Sequence, residues 1–253
     1  MTERSGLVLK ITINRPKQLN ALNKETIQEL NHALETANKD EEVGAVILTG
    51  SGDKAFVAGA DIKEFADFSV EKGHQLSANG QEILFDYVEF MSKPVIAAIN
   101  GFALGGGLEL AMAAHIRVAS FNAKLGLPEV SLGVIPGYGG TQRLTQLVGS
   151  GKAFEMITTA GMITAEDAEK WGLVNHAVTE EELMPLAEKI AGKIIKNSPN
   201  AINAAIRAIN ANHVEGVDGF EVEIEEFGKC FGTPEFIEGT TAFLEKRKPD
   251  FRK

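Results

Sequence analysis

The sequence contains one cysteine, Cys230, among its 253 residues. A lone cysteine can build neither an intramolecular disulfide nor a cysteine-based metal site, so we expect a protein of a reducing compartment. The five histidines are scattered along the chain and form no HExxH pair. Isolated histidines lack the clustering that a metal site needs, and we therefore expect no metal ligands in this sequence.

Positive charge and long apolar segments are scarce as well. Lysine and arginine number 25 against 35 aspartates and glutamates, which gives a formal net charge of −10 at pH 7. This charge argues against general binding to nucleic acid. No apolar run approaches the roughly 18 residues that a membrane span needs. The N-terminal MTERSGLVLK lacks the pattern of a secretory signal. We expect a globular protein of the cytoplasm.

Apolar periodicity predicts a mixture of strands and helices. Alternate residues are apolar in LVLKITIN (7–14), which predicts a half-buried strand. Apolar residues recur at helical spacing behind the potential N-cap Asn23, which predicts a helix over 23–38. The segment with GSG and AGAD that follows residue 50 is predicted to be a loop. Further strands are predicted at 43–50, 94–100, 116–120, 123–127 and 173–178. Further helices are predicted at 75–91, 108–114, 141–148, 152–159, 165–171 and 180–197.

The pattern changes at Ser198, after which only helices are predicted. Ser198-Pro199 and Thr233-Pro234 each combine a capping side chain with a proline suited to the first turn of a helix. The sequence therefore predicts two parts, an α/β core over 1–197 and a helical C-terminal segment over 198–253.

The stretch NGFALGGGLELAMAAHIRVA, residues 100–119, places three glycines and a carboxylate at the start of an apolar helix. A helix that is apolar on every face is normally buried, and the N–H groups of its first turn have no partner within the helix. Gly105 to Gly107 would let a ligand approach these N–H groups, which suit an anion or an oxygen that becomes anionic. Glu109 would be poorly solvated there, so its pKa should be raised. Its alternative role is to complement the helix dipole.

A second carboxylate, Glu129, lies in the similar stretch LPEVSLGVIPGYGGTQRL. It has apolar neighbours and is followed by three more glycines, Gly137, Gly139 and Gly140, before a helix. Two converging carboxylates could hold one water and move its protons, although buried structural carboxylates remain an alternative. LTGSGDKA matches the looser dinucleotide pattern G-x-G-x-x-A, but no clean helical period follows it. GSGK resembles the end of a phosphate loop, but it lacks the first glycine of that motif and has Ala153 in place of Ser or Thr.

Four segments of the sequence resemble the crotonase family, most closely its enoyl-CoA hydratases. They are AFVAGADIKEF (55–65), PVIAAINGFALGGGLELAMAAHIRVAS (94–120), LGLPEVSLGVIPGYGGTQRL (125–144) and AFLEKRKPDF (242–251). The resemblance implies an α/β fold, a crotonase-like spiral of β-β-α units. It implies that the helical C-terminal part mediates oligomerisation and covers the active site. It further implies a homo-hexamer built as a dimer of trimers, a CoA-thioester substrate and no separate cofactor.

The resemblance also assigns roles to four residues. The thioester carbonyl would accept hydrogen bonds from the backbone N–H groups of Ala60 and Gly106, which stabilise an enolate oxygen. Glu109 would orient and deprotonate the water, and Glu129 would protonate the α-carbon. The implied reaction is the reversible hydration of a trans-2-enoyl-CoA to a 3-hydroxyacyl-CoA, as in fatty-acid β-oxidation.

Contacts with the CoA ester are implied at further positions of the sequence. They are Ala58 and Ile62 around the adenine, Lys17, Lys54 and Lys63 near the phosphates or pantetheine, Gly137 and Tyr138 beside the substrate, and Phe243 and Lys246 at the CoA of a neighbouring subunit. Tyr138 would line or narrow the acyl pocket. Each of the three lysines could instead be a solvated surface charge.

Leu127 departs from the family pattern, because many hydratases carry glutamine before the proline of this motif. The departure leaves the substrate range and the pKa of Glu129 open. Hydration is favoured because both glutamates are present, whereas members that isomerise the double bond or remove halide usually lack one of them. The alternatives are an enoyl-CoA isomerase, a hydratase of a branched or carboxylated enoyl-CoA, or a protein that only binds a CoA ester or RNA. The net charge of −10 disfavours RNA.

Overall fold

The computed structural model describes residues 1–252, which form a mixed α/β fold. The strands are β1 (Thr2–Ser5), β2 (Val8–Ile13), β3 (Ala45–Gly50), β4 (Ala55–Ala58), β5 (Val95–Ile99), β6 (Phe102–Leu104), β7 (Ile116–Ser120), β8 (Lys124–Gly126), β9 (Met162–Thr164) and β10 (His176–Val178). The α-helices are α1 (Lys24–Lys39), α2 (Val70–Gly80), α3 (Asp86–Glu89), α4 (Gly106–Ala113), α5 (Gly140–Thr158), α6 (Ala165–Lys170), α7 (Glu180–Ile194), α8 (Pro199–Ala211), α9 (Gly219–Cys230) and α10 (Pro234–Leu244). Short 3-10 turns lie at Pro16–Gln18, Ile62–Glu64 and Glu129–Leu132, and a π-turn lies at Gln81–Phe85.

The larger sheet has six strands in the order β1-β2-β3-β5-β7-β10. Strand β1 pairs antiparallel with β2, and the remaining neighbours pair in parallel. Every residue of β3 and β5 is buried. This burial explains why the two strands read as continuous apolar runs, the pattern expected of parallel strands that are covered on both faces.

The smaller sheet has four short strands in the order β4-β6-β8-β9. The pairs β3–β4, β5–β6 and β7–β8 each send their first strand to the larger sheet and their second strand to the smaller one. A helical segment follows each pair, so the chain winds as a spiral of β-β-α units. The predicted fold class is therefore confirmed.

The prediction of a loop after residue 50 is wrong at Ala55–Ala58, which form β4. Similarly, Phe102–Leu104 lie within a predicted turn and form β6, which pairs in parallel with β4. Strands of three or four residues are too short to display an alternating pattern, and their partners are distant in sequence. Local periodicity therefore misses β4 and β6, whereas the strand predicted at 123–127 is confirmed as β8.

Capping residues start several helices where the sequence predicts them. The side chains of Asn23, Thr164, Ser198 and Thr233 each accept a hydrogen bond from a backbone N–H in the first turn of the following helix. These bonds satisfy donors that have no partner within the helix. The predicted caps are confirmed.

Three predicted helices differ from the observed ones in their bounds. The helix predicted at 75–91 begins earlier, at Val70, and α2 and α3 are joined through the π-turn Gln81–Phe85. The helices predicted at 141–148 and 152–159 meet at Gly149, whose φ of 77° interrupts α5. Glycine tolerates this left-handed backbone, so the break falls where the side chain imposes no penalty.

The main core lies around α4, whose residues are all buried. A second cluster packs α7 against the other face of the larger sheet. The C-terminal helices are less well covered, because large apolar side chains of α9 and α10 are exposed. Within residues 1–252, no helix combines the length and the apolar character that a membrane span requires. The division into two parts at residue 197 stays a prediction.

Candidate active site

The site is built around the start of the buried helix α4. Gly105 has a φ of 50°, a left-handed conformation that turns the chain from β6 into the helix. A Cβ on Gly107 would lie 2.0 Å from the carbonyl oxygen of Val57. Only glycine therefore allows the first turn of α4 to pack this closely on β4.

Two backbone N–H groups beside this turn have no partner in the described chain. Leu22 donates to the carbonyl of Gly59, and Asp61 donates to the carbonyl of Leu22, which fixes the backbone on either side of Ala60. A Cβ on Gly106 would lie 3.7 Å from the backbone nitrogen of Ala60. Neither Ala60 nor Gly106 donates its N–H to another atom of the described chain. Their predicted role as donors to a thioester oxygen stays a prediction.

Glu109 is held by the glycine-rich turn before α5. Its side chain is buried, with 1% of the residue exposed. Its Oε1 accepts hydrogen bonds from the backbone N–H groups of Tyr138 and Gly140, both at 2.8 Å. A Cβ on Gly140 would lie 2.7 Å from the same oxygen, so this position needs glycine. The two amides fix Oε1 and leave Oε2 without a donor from the described residues.

Glu129 begins the 3-10 turn Glu129–Leu132 and reaches the other side of the same turn. Its Oε1 lies 2.6 Å from where a Cβ on Gly105 would stand. Its Oε2 is buried and has no hydrogen-bond partner in the described part of the protein. The neighbouring Leu127 is fully buried and supplies no polar atom. A buried carboxylate oxygen without a protein partner is one that a water or substrate can engage.

The two carboxyls have raised pKa values. Burial, reinforced by the charge of Glu129, raises the pKa of Glu109 to about 7, and hydrogen bonds from Gly140 and Tyr138 and the charge of Arg143 oppose this rise. Burial also raises the pKa of Glu129. Because like charges disfavour double ionisation, the two carboxyls should lose their protons in separate steps. One carboxylate and one carboxylic acid side by side suit general acid–base chemistry.

Tyr138 forms one wall of the site. Its ring stacks on Phe85 with the ring centres 4.6 Å apart. A Cβ on Gly80 would lie 2.3 Å from the Tyr138 ring, so the glycine makes room for the tyrosine. Burial raises the pKa of the Tyr138 phenol to about 12, and the charge of Glu109 adds to this effect. The phenol therefore stays protonated at neutral pH.

A cavity of about 710 Å³ opens beside Ala60 and Tyr138. Its other walls include apolar side chains from α1, α2 and the π-turn, among them Ile27, Leu76 and Ile83. Polar and charged side chains, among them Lys24 and Glu64, also line it. A partly apolar space beside the backbone of Ala60 fits a ligand with a polar carbonyl and an apolar tail. Tyr138 lines this cavity, and its contact with a substrate stays a prediction.

The other residues with predicted CoA contacts lie elsewhere in the structure. Lys17, Lys54, Ile62 and Lys63 are exposed, and Ala58 lies in β4 with its N–H already donated to Leu19. Gly137 lies in the turn that holds Glu109, and its carbonyl accepts from Ser77 at 2.5 Å and from Gln81 at 2.9 Å. Phe243, which is 82% exposed, and the exposed Lys246 lie at the end of α10 and do not line the cavity. Their predicted contacts with CoA remain predictions.

Arg143 lies near the site, and the sequence predicts no role for it. Its guanidinium is buried and contacts the carbonyl of Tyr138 and two carboxylates of α3. The signal in the sequence is a charged residue one turn after PGYGG, directly before the buried Leu144. Among the residues that the structure describes, no group of three or more histidine, cysteine or acidic side chains could hold a metal ion.

Comparisons with known proteins agree with this geometry. The chain matches the family described as enoyl-CoA hydratase/isomerase over residues 3–253. It is 49% identical to the short-chain-enoyl-CoA hydratase of Clostridium acetobutylicum, covering 97% of this chain and 94% of that one. It is 48% identical to the crotonyl-CoA hydratase of Syntrophomonas wolfei, covering 98% and 96%. The crystal structure of an enoyl-CoA hydratase from Bacillus anthracis matches with a TM-score of 0.91 at 40% identity, covering 100% of this chain and 98% of that one. Because these matches span nearly the whole chain, the protein belongs to the enoyl-CoA hydratase/isomerase family, the crotonase family that its motifs resemble.

Proposed function

We propose that the protein catalyses the reversible hydration of trans-2-enoyl-CoA thioesters to 3-hydroxyacyl-CoA. The observation that carries this proposal is the pairing of two carboxyls of raised pKa, Glu109 and Glu129, beside the free amides of Ala60 and Gly106. The names of the relatives support the same reaction, because they describe hydratases of short-chain enoyl-CoA and crotonyl-CoA.

The free amides supply electrostatic stabilisation. In the proposed complex, the thioester oxygen accepts hydrogen bonds from the N–H groups of Ala60 and Gly106. When a water oxygen bonds to the β-carbon, the electron pair of the double bond moves toward this oxygen and forms an enolate. Two preorganised donors stabilise that developing charge more than they stabilise the neutral carbonyl.

The two glutamates move the protons. Glu109, whose Oε1 is fixed by two amides, presents its free oxygen to the water and takes one proton as the new C–O bond forms. Glu129 gives a proton to the α-carbon as the enolate collapses. The substrate gains one oxygen and two hydrogens, so one water is consumed, and the next cycle begins when the proton has passed from Glu109 to Glu129.

The CoA contacts belong to the same proposal. We assign the apolar cavity beside Tyr138 to the acyl group, and the CoA moiety to the surface near Ala58, Ile62 and the three exposed lysines. No cofactor takes part in the proposed steps, since the thioester itself accepts the electron pair. The proposed setting is fatty-acid β-oxidation in the cytoplasm.

Oligomerisation is also part of the proposal. Helices α9 and α10 expose large apolar side chains, including Phe220, Phe227 and Phe243. Contiguous exposed apolar surface of this kind usually marks an interface. We assign this surface to contacts between copies of the chain in a hexamer, which would bring Phe243 and Lys246 to the CoA of a neighbour. The mass of the native assembly, measured by light scattering after size-exclusion chromatography, tests this assignment.

The experiment that tests the function uses purified protein and crotonyl-CoA with no added cofactor. Loss of the conjugated thioester absorbance is followed, and the product is identified by mass. The proposal predicts a product heavier by one water. A product of unchanged mass with a shifted double bond would indicate an isomerase, and absence of binding would contradict the CoA assignment. A parallel assay with a chelator tests whether metal is required.

A further inference from the structure

The buried side chain of Arg143 joins the turn that holds Glu109 to helix α3. Its Nη1 donates to the carbonyl oxygen of Tyr138 at 2.9 Å. Its Nε donates to Glu89 Oε2 at 2.9 Å, and its Nη2 donates to Glu89 Oε2 at 2.5 Å and to Asp86 Oδ1 at 2.7 Å. The guanidinium is thus held by two carboxylates on one side and contacts the turn on the other.

Arg143 contacts the carbonyl of Tyr138, which lies along the chain between the two N–H groups that donate to Glu109. The peptide bonds before and after this carbonyl supply the N–H groups of Tyr138 and Gly140, which donate to Glu109 Oε1. Gly139, between them, has a φ of 86°, and a Cβ there would lie 2.2 Å from Arg143 Nη1. The glycine therefore allows the backbone conformation and also leaves room for the guanidinium.

A second contact anchors the same turn without adding charge. The carbonyl of Gly137 accepts from Ser77 and Gln81, which lie on α2 and the π-turn. The turn is consequently held at two successive carbonyls, and only the one at Tyr138 has a cationic donor. The loss of Arg143 would remove both an anchor and a charge.

The charged groups around Glu109 give this cation a further effect. Glu129 and Arg143 act on the pKa of Glu109 in opposite directions, and Glu109 in turn acts on the Tyr138 phenol. Asp86 and Glu89 face Arg143 from α3 and partly neutralise it. Arg117, also buried, contacts the carbonyls of Met112 and Ala114 at the opposite end of α4. Arg143 is thus the cation that acts on the catalytic end of this helix.

We propose that Arg143 is a positioning residue for the hydration reaction. Its guanidinium fixes the turn that holds Glu109 and favours the ionised form of Glu109. This inference rests on the proposed function, because it assumes that Glu109 is the base. Arg143 lies behind the turn and has no contact with the thioester.

The first test compares the pH dependence of kcat/KM for crotonyl-CoA in the wild type, Arg143→Met, Arg143→Lys and Glu89→Gln. Without the positive charge, Glu109 is harder to ionise, so the acidic limb of Arg143→Met should move to higher pH by about one unit. Arg143→Lys keeps the charge and should leave that limb near its original position. Glu89→Gln removes an opposing charge and should move the limb to lower pH.

Separate measurement of kcat and KM distinguishes a positioning role of Arg143 from a role in substrate binding. Because the turn loses its anchor, kcat should fall by roughly ten- to hundredfold in Arg143→Met, while KM changes little. Circular dichroism and the thermal midpoint show whether each variant is folded. A fall in stability with an unmoved acidic limb in both Arg143→Met and Glu89→Gln would reduce Arg143 to a structural role and overturn the proposal.

A second readout does not depend on activity. In a Glu129→Gln background, Glu109 is the remaining carboxyl of the pair, and its protonation can be followed by difference infrared spectroscopy of the carboxyl band. Adding Arg143→Met should raise the pH at which this band disappears, whereas an unchanged titration would overturn the proposal. If the wild type does not hydrate crotonyl-CoA but this titration still shifts, the proposed function fails while the electrostatic effect of Arg143 stands.

Discussion

The two glycine-rich turns of the site use their backbone amides for different purposes. The turn at Gly105–Gly107 leaves the N–H of Gly106 without a partner in the described chain, near the backbone of Ala60. The turn at 137–140 donates two of its N–H groups to Glu109, a carboxylate of the protein itself. Similar sequence patterns therefore leave an N–H group free in one place and hold a buried carboxylate in the other.

The two glutamates differ in their burial and in their hydrogen bonds with the backbone. Glu109 is fully enclosed and fixed by its two amides, whereas Glu129 is half-buried and has one oxygen without a protein partner. A fixed carboxylate suits the orientation of water, and a less constrained carboxylic acid suits delivery of a proton to carbon. Substitutions at the two glutamates and at the residues around them separate these roles.

Replacement of either glutamate should cause the largest loss. Glu109→Gln and Glu129→Gln should each lower kcat by about 10³-fold, because each removes one proton-transfer group. The affinity for a CoA ester should survive, since the oxyanion amides and the cavity are unchanged. Steady-state kinetics together with calorimetric binding of a non-reactive saturated acyl-CoA measures both quantities. Equal loss of binding and rate would contradict a catalytic role.

Adding a methyl group at the two turns should have distinct consequences. Gly107→Ala should destabilise the protein by several kcal/mol, because its Cβ would meet the Val57 carbonyl at 2.0 Å. Gly140→Ala should displace Glu109 and lower kcat by roughly ten- to hundredfold. The control is Gly151→Ala on α5, where an added Cβ has no neighbour within 4 Å. Urea unfolding and kcat are measured for all three variants.

One outcome with the three glycine variants would contradict the role of this turn in catalysis. If Gly140→Ala behaves like Gly151→Ala in both assays, close contact between the turn and Glu109 has no role in catalysis.

Glu109 should destabilise the fold at high pH. Its folded pKa of about 7 lies above the ordinary value of 4.5, so the folded state binds the proton more tightly than the unfolded state. The associated stability is present below about pH 4.5 and is lost as pH rises through about 7. Glu109→Gln should therefore be more stable than the wild type by roughly 1–3 kcal/mol at pH 8, with a smaller difference at pH 5.

The measurement is urea unfolding of both proteins at pH 5 and pH 8, at one protein concentration. Glu129→Gln is the comparison, because it lacks the charge that adds to the pKa of Glu109. A difference between Glu109→Gln and the wild type that is the same at both pH values would contradict the raised pKa.

The smallest effect is expected at Tyr138. Tyr138→Ala removes the ring that stacks on Phe85 and forms a wall of the cavity. The ratio of kcat/KM for a longer enoyl-CoA to that for crotonyl-CoA should rise by roughly tenfold, since each extra methylene gains apolar contact. Tyr138→Phe keeps the ring and serves as the control. An unchanged chain-length profile in Tyr138→Ala would show that the ring does not limit the acyl group.

The comparison between the two sheets shows what the sequence can predict. Strands β3 and β5 are continuous apolar segments, and their position follows from burial alone. Strands β4 and β6 are short and depend on pairing with each other, so local patterns assign them to loops and turns. These missed strands end next to Ala60 and Gly106. The family motifs identified both residues, which periodicity alone could not do.

The site shows the same division. Glu109 and Glu129 are conspicuous in the sequence because a carboxylate in an apolar run needs a reason to be there. The amides that hold Glu109 belong to a turn about 30 residues away, and no local signal pairs them with it. Arg143 is missed for the same reason, since its partners Asp86 and Glu89 meet it only when α3 packs beside α5.

In the proposed mechanism, Glu109 and Glu129 together add one water to an enoyl-CoA. The most direct test is the conversion of crotonyl-CoA, in water enriched with a heavy oxygen isotope, by the wild type and the Glu109→Gln/Glu129→Gln double variant. The account predicts that the wild-type product carries one labelled oxygen on its β-carbon, while the double variant binds the thioester without converting it. Undiminished hydration by the double variant, or a wild-type product of unchanged mass, would contradict the account.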